Sequence, residues 1–395
     1  MKKLSILGST GSIGRQTLAV VESLPERFAI VALAAGGNLE ELARQIARHR
    51  PEVVSVADAG KAEELAERLR AAGIALPVIH HGAEGMMSVG THADADIVVS
   101  AAVGVVGLPA TYAAVKLGKS VALSNKEVLV AAGELVMAAA RAAGQELLPV
   151  DSEHNAVHQC LRGGTRPEVR RLVLTASGGP FRKTPIAALA SVTPEQALAH
   201  PNWRMGNRIS IDSATMMNKG FEVIEARWLF GVKPEQIDVV VHAQSTVHSM
   251  VEFVDGSVLA QLGPTDMRMP IQYALTYPER VASNEVALDW TKLKRLDFEK
   301  ASTRRFPCLR LAREAMKKGG ALPCALNAAD EIAVAAFLER GLPFLGIPEV
   351  IERVLARTPR MKFSSMDDVL AADAEARRMA KEEVGKLAGA AAVAS

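Results

Sequence analysis

The residues with the clearest chemical potential lie in the stretch 150–155, where two carboxylates stand two positions apart. Asp151 and Glu153 follow residues 145–149, which the sequence predicts to be a short strand, so both side chains emerge on the same side of its end. Adjacent carboxylates repel unless a proton or a cation lies between them, and Mg²⁺ and Mn²⁺ prefer oxygen ligands of this kind. The pattern fits either a divalent metal site or a solvated acidic turn that caps a helix over 155–161.

A second polar stretch, residues 212–222, supplies a hydroxyl, an amide, an ammonium and a carboxylate close together. This mixture suits a site that holds a phosphate and a metal together. Glu222 and Glu225 are three residues apart, so they share one face of the helix predicted over 223–230. Either one of them completes a set of three carboxylates around a metal, or both are exposed charges at a helix start.

A glycine-rich turn, residues 8–14, joins a predicted strand over 3–7 to a predicted helix over 15–24. This arrangement lets backbone N–H groups and the helix dipole hold a pyrophosphate, although glycines at the spacing GxxGxxG also occur in purely structural turns. The second strand, 28–35, ends in Gly36, Gly37 and Asn38. The tip contains no carboxylate that would repel a 2′-phosphate, which favours NADP over NAD. The tip also contains no arginine, so the cation that would bind the 2′-phosphate is not identified.

Short strands alternate with helices up to residue 143, which predicts a Rossmann-like, doubly wound parallel sheet with ligands at the carboxyl ends of its strands. The pattern then changes to a mixed α/β region with a hairpin over 250–262, and the chain ends in a helical bundle. Residues 176–180 either bind an anion or form a turn, and residues 200–206 form either a lid or an ordinary surface loop. The predicted divisions are a cofactor domain over 1–150, a catalytic and dimerisation domain over 151–276 with a flap around 200–206, a linker over 277–303 and a helical domain over 304–395.

Composition excludes several classes of protein. The 46 basic and 44 acidic residues leave a formal charge of +2, so no overall field attracts nucleic acid or an anionic membrane. No run approaches the ~18 apolar residues of a transmembrane helix, and glycines interrupt the N-terminal apolar run before it could serve in secretion. Three cysteines without CxxC spacing fit a reducing cytosol. His154 and His158 have a spacing that can hold zinc, but no general-base glutamate lies between them, and solvated helix-surface side chains are the simpler interpretation.

Six motifs in order resemble the 1-deoxy-D-xylulose 5-phosphate reductoisomerase family. They are GSTGSIG at 8–14, SNKE at 124–127, DSEHNA at 151–156, ASGGPF at 176–181, HPNWRMG at 200–206 and DSATMMNKGFE at 212–222. The resemblance continues to the segments 306–309 and 326–331 in the last quarter of the chain. It implies a cytoplasmic homodimer that binds NADPH and Mg²⁺ or Mn²⁺, acts on a phosphorylated small molecule, and binds neither nucleic acid nor membrane.

The resemblance also implies roles for individual residues. The NADPH contacts would be Thr10, Gly11, Ser12, Ile13, Gly36, Gly37, Asn38, Asn125, Glu127 and Gly206. The metal ligands would be Asp151, Glu153 and Glu222, which count as catalytic together with Lys126. The substrate contacts would be Lys126, Ser152, Glu153, Ser177, His200, Ser213, Asn218, Lys219 and Glu222, with Trp203 and Met205 in the flap. The implied reaction is a metal-assisted retro-aldol and aldol rearrangement followed by hydride transfer, giving 2-C-methyl-D-erythritol 4-phosphate.

The chain departs from the family pattern at Ser124, Gly37, Thr246 and Asp330, and Gly37 bears most on binding the cofactor phosphate. Two rival functions stay in view. One is another metal-dependent NADPH enzyme that acts on an unphosphorylated ketol-acid, and the anion-binding groups at 177 and 213–219 argue against it. The other is a nicotinamide-sensing module, which has no evident use for three convergent carboxylates.

Overall fold

The structure, a computed structural model, describes residues 1–203, 205–282 and 287–394. The chain forms two compact units. The N-terminal unit comprises Met1–Val128, Val136–Asn155 and Asp266–Val286, and the C-terminal unit comprises Leu129–Leu135, Ala156–Thr265 and Ala287–Ser395. In the described part of the chain, the helices lack the combination of length and apolar character that crossing a membrane requires.

A seven-stranded sheet forms the centre of the N-terminal unit, and its strands pair in parallel in the order β4-β3-β2-β1-β5-β6-β7. This order confirms the predicted doubly wound sheet. The strands are β1 (Lys2–Leu7), β2 (Phe28–Ala34), β3 (Val53–Val56), β4 (Val78–His81), β5 (Ile97–Ser100), β6 (Ser120–Leu123) and β7 (Leu147–Pro149). The helices are α1 (Ser12–Ser23), α2 (Leu39–His49), α3 (Ala59–Ala71), α4 (Gly82–Gly90), α5 (Leu108–Lys116), α6 (Glu127–Ala142) and α7 (Ser152–Leu161).

Three elements of this unit escape the sequence pattern, namely β4, the helix α4 that follows it, and one helix from late in the chain. The strand β4 lies at the edge of the sheet and keeps most of its side chains at least partly exposed, so it lacks the apolar run of the buried strands. The helix α11 (Arg268–Thr276) contains Pro270 and follows the second unit's sheet in sequence, yet it packs Ile271, Ala274 and Leu275 into the core of the N-terminal unit. The local sequence of such a segment does not show that it packs into a core formed by a much earlier part of the chain.

The C-terminal unit contains a mixed sheet of five strands in the order β11-β10-β8-β9-β12. β10 pairs antiparallel with β11, which confirms the predicted hairpin, and β8 pairs in parallel with β9. The strands are β8 (Val169–Ala176), β9 (Ile237–Val241), β10 (Val247–Phe253), β11 (Val258–Leu262) and β12 (Glu299–Lys300). The helices are α8 (Pro194–Leu198), α9 (Asn207–Thr215), α10 (Met217–Phe230), α12 (Pro307–Lys318), α13 (Leu322–Leu338), α14 (Gly346–Arg357) and α15 (Met366–Ala394).

Helices α9 and α10 carry a polar stretch whose helical character the sequence only partly predicts. The sequence predicts a helix over 223–230 alone, whereas α10 begins at Met217 and a separate helix, α9, precedes it. The two helices meet at Met216, which adopts a left-handed backbone conformation with φ 64°. This break turns the chain between Ser213 and Asn218, so both residues lie at helix ends.

Candidate active site

The glycine-rich turn between β1 and α1 is shaped for a ligand that approaches the backbone. A β-carbon at Gly14 would lie 2.4 Å from the carbonyl oxygen of Gly8, so only glycine allows this turn to close. Gly11 precedes the helix and provides no side-chain cap, and both Gly11 and Ser12 are exposed. The first N–H groups of α1 are therefore accessible to an anion, and the helix dipole favours one there. Thr10 and Ile13, the other predicted contacts in this turn, are half-buried.

The tip of β2 is open, as a site for the adenosine end of a dinucleotide requires. Gly36, Gly37 and Asn38 are all exposed. The Asn38 side chain caps α2, because its Oδ1 accepts a hydrogen bond from the Glu41 backbone N–H at 3.1 Å. This cap fixes the turn, and the two glycines add no side chains of their own at the strand end.

Asn125 joins the loops that follow β5 and β6. Its side-chain amide donates to the carbonyl of Ala102 and, at 2.8 Å, to that of Gly104. Its buried Oδ1 has no hydrogen-bond partner among the described residues, so an acceptor is left for a ligand. The neighbouring loop exposes Val103 and Val106, an apolar surface that the sequence analysis missed. Their position directly after β5, at the carboxyl edge of the sheet where ligands bind, is the feature of the sequence that could have identified them.

Lys126 and Asp151 form a buried ion pair in the N-terminal unit. Lys126 Nζ lies 2.8 Å from Asp151 Oδ2, and Asp151 is only 8% exposed, so the interpretation of a solvated acidic turn is wrong. Burial opposes ionisation of Asp151 most strongly, but the Lys126 charge, then that of His154, holds the pKa of this carboxyl below its usual range. Asp151 is therefore an ionised oxygen donor.

Ser152 and Glu153 open the helix α7, which starts three residues earlier than the sequence predicts. Ser152 Oγ donates to Glu153 Oε2 at 2.6 Å, and the Glu153 backbone N–H donates to Asp151 Oδ1 at 3.3 Å. His154 and His158, farther along the same helix, are buried, so the expectation of solvated side chains is wrong. His154 Nδ1 lies 3.9 Å from Asp151 Oδ1 and adds to the charge environment of that carboxylate.

In the C-terminal unit, the loop after β8 brings together three predicted substrate contacts. Ser177 Oγ lies 2.9 Å from His200 Nε2, and it accepts a hydrogen bond from the Gly179 backbone N–H at 3.2 Å. Gly179 has φ 64°, and a β-carbon there would lie 2.7 Å from the Ser213 carbonyl oxygen. Glycine at this position lets the loop pack against the end of α9, where Ser213 lies.

The hydrogen bonds of His200 fix its tautomer. Its Nδ1 accepts from the backbone N–H groups of Asn202, at 3.2 Å, and Trp203, at 2.9 Å. Burial lowers its pKa, so the ring is neutral and its proton lies on Nε2, from which it donates to Ser177 Oγ. Because Ser177 Oγ already accepts from two donors, its own hydrogen is available to an anion.

Helix α10 carries the second buried carboxylate centre. Glu222 is fully buried, as is Glu225, so the interpretation of exposed charges at a helix start is wrong. Asn218 Nδ2 donates to Glu222 Oε1 at 2.6 Å, and Lys219 Nζ donates to Glu222 Oε2. Lys219 is itself buried. The amide and the ammonium therefore hold the carboxylate in one orientation.

The predicted flap lies between α8 and α9 and contains no helix or strand in its described residues. Trp203 packs edge-to-face on His248, with ring centroids 6.5 Å apart, and Met205 is half-buried. Asn202 reaches the loop after β9, where its Nδ2 lies 3.1 Å from Ser245 Oγ. Arg204 lies outside the described residues. Gly206 is the N-cap of α9 and is exposed.

Comparison with protein families gives three matches along the chain. Residues 4–133 match 1-deoxy-D-xylulose 5-phosphate reductoisomerase, residues 147–230 match its C-terminal domain, and residues 262–379 match the DXP reductoisomerase C-terminal domain. Among curated relatives, the chain is 52% identical over 385 residues to the 1-deoxy-D-xylulose 5-phosphate reductoisomerase of Solibacter usitatus, covering 97% of each protein. It is also 52% identical over 392 residues to that of Methylococcus capsulatus, covering 98% of this chain and 100% of the relative.

Solved structures agree with this match. The enzyme from Zymomonas mobilis in complex with NADPH is 46% identical with a TM-score of 0.90, over 97% of this chain and 99% of that one. A DOX-P reductoisomerase in complex with NADPH, fosmidomycin and magnesium is 39% identical with a TM-score of 0.93, over 98% of both chains. Both similarities extend over nearly the whole length of the fold described above.

Proposed function

Because the chain belongs to the 1-deoxy-D-xylulose 5-phosphate reductoisomerase family, we infer that it converts 1-deoxy-D-xylulose 5-phosphate into 2-C-methyl-D-erythritol 4-phosphate. The reaction depends on NADPH and a divalent metal and supplies isoprenoid precursors in the MEP pathway. The observation that carries this inference is the 52% identity over 97% of the chain to a relative of that name. The buried carboxylates are candidate ligands for the metal, and the anion site around Ser177 is a candidate site for the substrate phosphate.

NADPH binding is assigned to the carboxyl edge of the parallel sheet in the N-terminal unit. The open N-terminus of α1 suits the pyrophosphate, and the glycines at the tip of β2 suit the phosphorylated ribose. The buried acceptor on Asn125 suits an amide or a hydroxyl of the nicotinamide half. Glu127, half-buried at the start of α6, and Gly206 complete the proposed set.

Asp151, Glu153 and Glu222 are proposed as the ligands of Mg²⁺ or Mn²⁺. Their carboxylate oxygens are the donors that hard divalent ions prefer. When bound, such an ion polarises the keto and hydroxyl oxygens of the substrate and offsets the negative charge of the carbon–carbon cleavage step. Asp151 and Glu222 are each paired with a lysine, which holds both carboxylates in a fixed orientation.

Lys126 is proposed to handle a proton or negative charge at the reacting oxygens. It is buried, and its ammonium is held 2.8 Å from Asp151 Oδ2, so its position is fixed by a proposed metal ligand. Ser152 and Glu153 adjoin this pair in sequence and are proposed to contact the same part of the substrate. Pre-positioned groups of this kind lower the barrier because no reorganisation is needed during the reaction.

The substrate phosphate is assigned to the site built by Ser177, His200, Ser213, Asn218 and Lys219. The available Ser177 hydroxyl hydrogen and the Lys219 ammonium provide donors to a dianion. The neutral ring of His200 orients Ser177 without adding a charge. Trp203 and Met205 are proposed to cover the bound substrate and exclude water.

We further propose a cytoplasmic homodimer. Three buried free cysteines fit a reducing compartment. The edge strand β11 exposes Val258 and Leu259, and an exposed apolar edge of this kind is suited to pairing with a second copy of the chain. The four-part domain division predicted from the sequence is retained as part of this proposal.

Product analysis tests the proposed activity. Incubation of the protein with 1-deoxy-D-xylulose 5-phosphate, NADPH and Mg²⁺ is expected to yield 2-C-methyl-D-erythritol 4-phosphate, identified by ³¹P and ¹³C NMR. The same incubation without NADPH should yield no such product. A reduced but unrearranged product would indicate a simple dehydrogenase and would overturn the inference.

A further inference from the structure

We propose that Lys61 supplies the positive charge that binds the 2′-phosphate of NADPH, and that it thereby sets the preference for NADPH over NADH. The proposal rests on the cofactor site assigned above to the tip of β2. The sequence offers no cation in the tip itself, which consists of Gly36, Gly37 and Asn38. The structure assigns the missing cation to the neighbouring strand–helix connection.

Lys61 reaches the tip of β2 because β2 and β3 end side by side. The two strands are parallel, with Ala34 paired to Ser55, and the Ala57 backbone N–H donates to the Gly36 carbonyl at 3.2 Å. Lys61 lies in the first turn of α3, directly after this connection. A β-carbon at Gly37 would lie 3.2 Å from Lys61 Cε, so the lysine side chain lies against the space that a side chain at Gly37 would enter.

The Lys61 ammonium is charged and held in an exchangeable ion pair. Its Nζ lies 2.8 Å from Asp58 Oδ2, while Asp58 Oδ1 accepts from the Lys61 backbone N–H at 2.9 Å and caps α3. The hydrogen bond that Lys61 donates to Asp58 raises the pKa of Lys61, so the ammonium stays protonated at neutral pH. Because the Lys61 and Asp58 side chains are 38% and 55% exposed, solvent screens their interaction. The pair therefore contributes little to stability, and a phosphate dianion can replace the carboxylate.

Other charges near the start of α2 do not provide the same function. Glu40 and Glu41, which follow the tip, lie 3.4 and 3.3 Å from Arg44 Nη2, so that guanidinium already faces two carboxylates. Lys61 forms an ion pair with Asp58, and Glu64 adds only a weaker attraction. Asp58 is fixed by its capping hydrogen bond, while the lysine stem is flexible. We therefore expect Lys61 to turn towards a phosphate that binds beside Gly37.

The primary test is the affinity of the Lys61→Ala protein for NADPH and NADH, measured by isothermal titration calorimetry without substrate. Loss of one charge-assisted interaction should weaken NADPH binding by about 10- to 100-fold and leave NADH binding unchanged. In turnover assays the KM for NADPH should rise by a similar factor while kcat at saturation stays close to wild type. Lys2→Ala removes an exposed lysine at the opposite end of β1 and should change neither affinity.

Two further variants separate this proposal from the assignment of the cofactor site. Gly37→Asp introduces a carboxylate at the tip and should weaken NADPH binding whatever the role of Lys61. Gly37→Lys in the Lys61→Ala background returns an ammonium to the same space and should restore the preference for NADPH.

Weakening by Gly37→Asp, combined with unchanged affinity in Lys61→Ala, would overturn the role of Lys61 and leave the cofactor site in place. No effect on NADPH binding from either variant would overturn the site assignment and the proposal together. Equal weakening of NADPH and NADH by Lys61→Ala would also overturn the proposal, because it would show a general effect on the fold of this corner.

Discussion

Two pairs of buried carboxylates in this protein differ in their partners. Asp151 and Glu222, the proposed metal ligands, each contact a lysine ammonium directly. Asp212 on α9 and Asp330 on α13 instead share one guanidinium, that of Arg208, at the longer distances of 3.7 and 3.6 Å. All four side chains are buried, so burial alone does not separate a functional carboxylate from a structural one.

The different partners of Asp151 and Asp330 shift the pKa values of the two carboxyl groups in opposite directions. The Lys126 charge keeps the pKa of Asp151 low despite burial. Burial raises the pKa of Asp330, and the adjacent Asp212 raises it further, while the Arg208 charge only partly opposes both effects. Asp330 therefore keeps its proton to a higher pH than an ordinary carboxyl group does, whereas Asp151 is an anion ready to bind a cation. In this comparison the lysine contact accompanies the carboxylates that are proposed to bind the metal, and the shared guanidinium accompanies the two that are not.

Removing a proposed metal ligand should have the largest effect. In Glu222→Gln the side chain keeps its size but loses the charge, so kcat should fall by at least about 10³-fold. Consumption of NADPH with saturating substrate and Mg²⁺ measures the loss, and Glu235→Gln, at an exposed glutamate of the same unit, serves as the matched control. Wild-type turnover in Glu222→Gln would show that this carboxylate is not a metal ligand.

Removing the lysine partner should have the next largest effect. Lys126→Ala leaves Asp151 buried without its main counter-charge and removes the proposed proton-handling group, so kcat should fall by about 10²- to 10⁴-fold. Lys126→Arg keeps the charge and tests whether charge alone suffices. If Lys126→Ala turned over at the wild-type rate, the lysine pairing would not be a mark of function.

Removing a neutral donor should have a moderate effect. Ser177→Ala deletes one hydroxyl from the phosphate site, so substrate binding should weaken by about 1–3 kcal/mol, seen mainly as a higher KM. A matched control is Ser191→Ala, an exposed serine of the same unit outside the site. A fall in kcat with unchanged KM would place Ser177 in the chemical step instead.

A substitution in the second pair of carboxylates, Asp212 and Asp330, should change the stability of the protein and leave its activity unchanged. Below pH ~4, the ordinary carboxyl range, Asp330 is protonated in both the folded and the unfolded chain and imposes no penalty. As pH rises towards its raised folded-state pKa, the unfolded chain releases the proton first, so wild-type stability falls.

Asp330→Asn does not titrate, and it should be more stable than wild type near pH 7 by about 1–3 kcal/mol, with the difference vanishing towards pH 4. Urea unfolding at several pH values measures this difference in stability. Lys126→Ala, which breaks the buried ion pair with Asp151, is measured in parallel for comparison. Lower stability of Asp330→Asn at neutral pH would show that Asp330 is ionised and paired with Arg208.

The sequence predicted the parallel sheet and the main polar clusters because both leave local signals. Short apolar strands alternate with amphipathic helices, and the glycines and carboxylates follow strand ends directly. The sequence could not predict that Asp151 and Glu222 are buried, because an acidic turn and a metal site share the same residue types. Only the contacts with Lys126 and Lys219 distinguish the two cases.

Other features depend on contacts between residues distant in sequence. The sequence left the cation of the cofactor phosphate unidentified, because Lys61 is 24 positions from Gly37 and approaches it only through the pairing of β2 with β3. The helix α11 shows the same limit, since it returns to the first core after more than a hundred residues in the other unit. The linker prediction over 277–303 includes residues 283–286, which lie outside the described residues.

The decisive measurement is the rate of NADPH consumption with 1-deoxy-D-xylulose 5-phosphate in the presence of Mg²⁺, of Mn²⁺ and of excess chelator. We expect turnover with either metal, loss of turnover with chelator, and recovery when metal is added back. Turnover that persists in chelator, or NADPH binding without any turnover on this substrate, would contradict the proposed function.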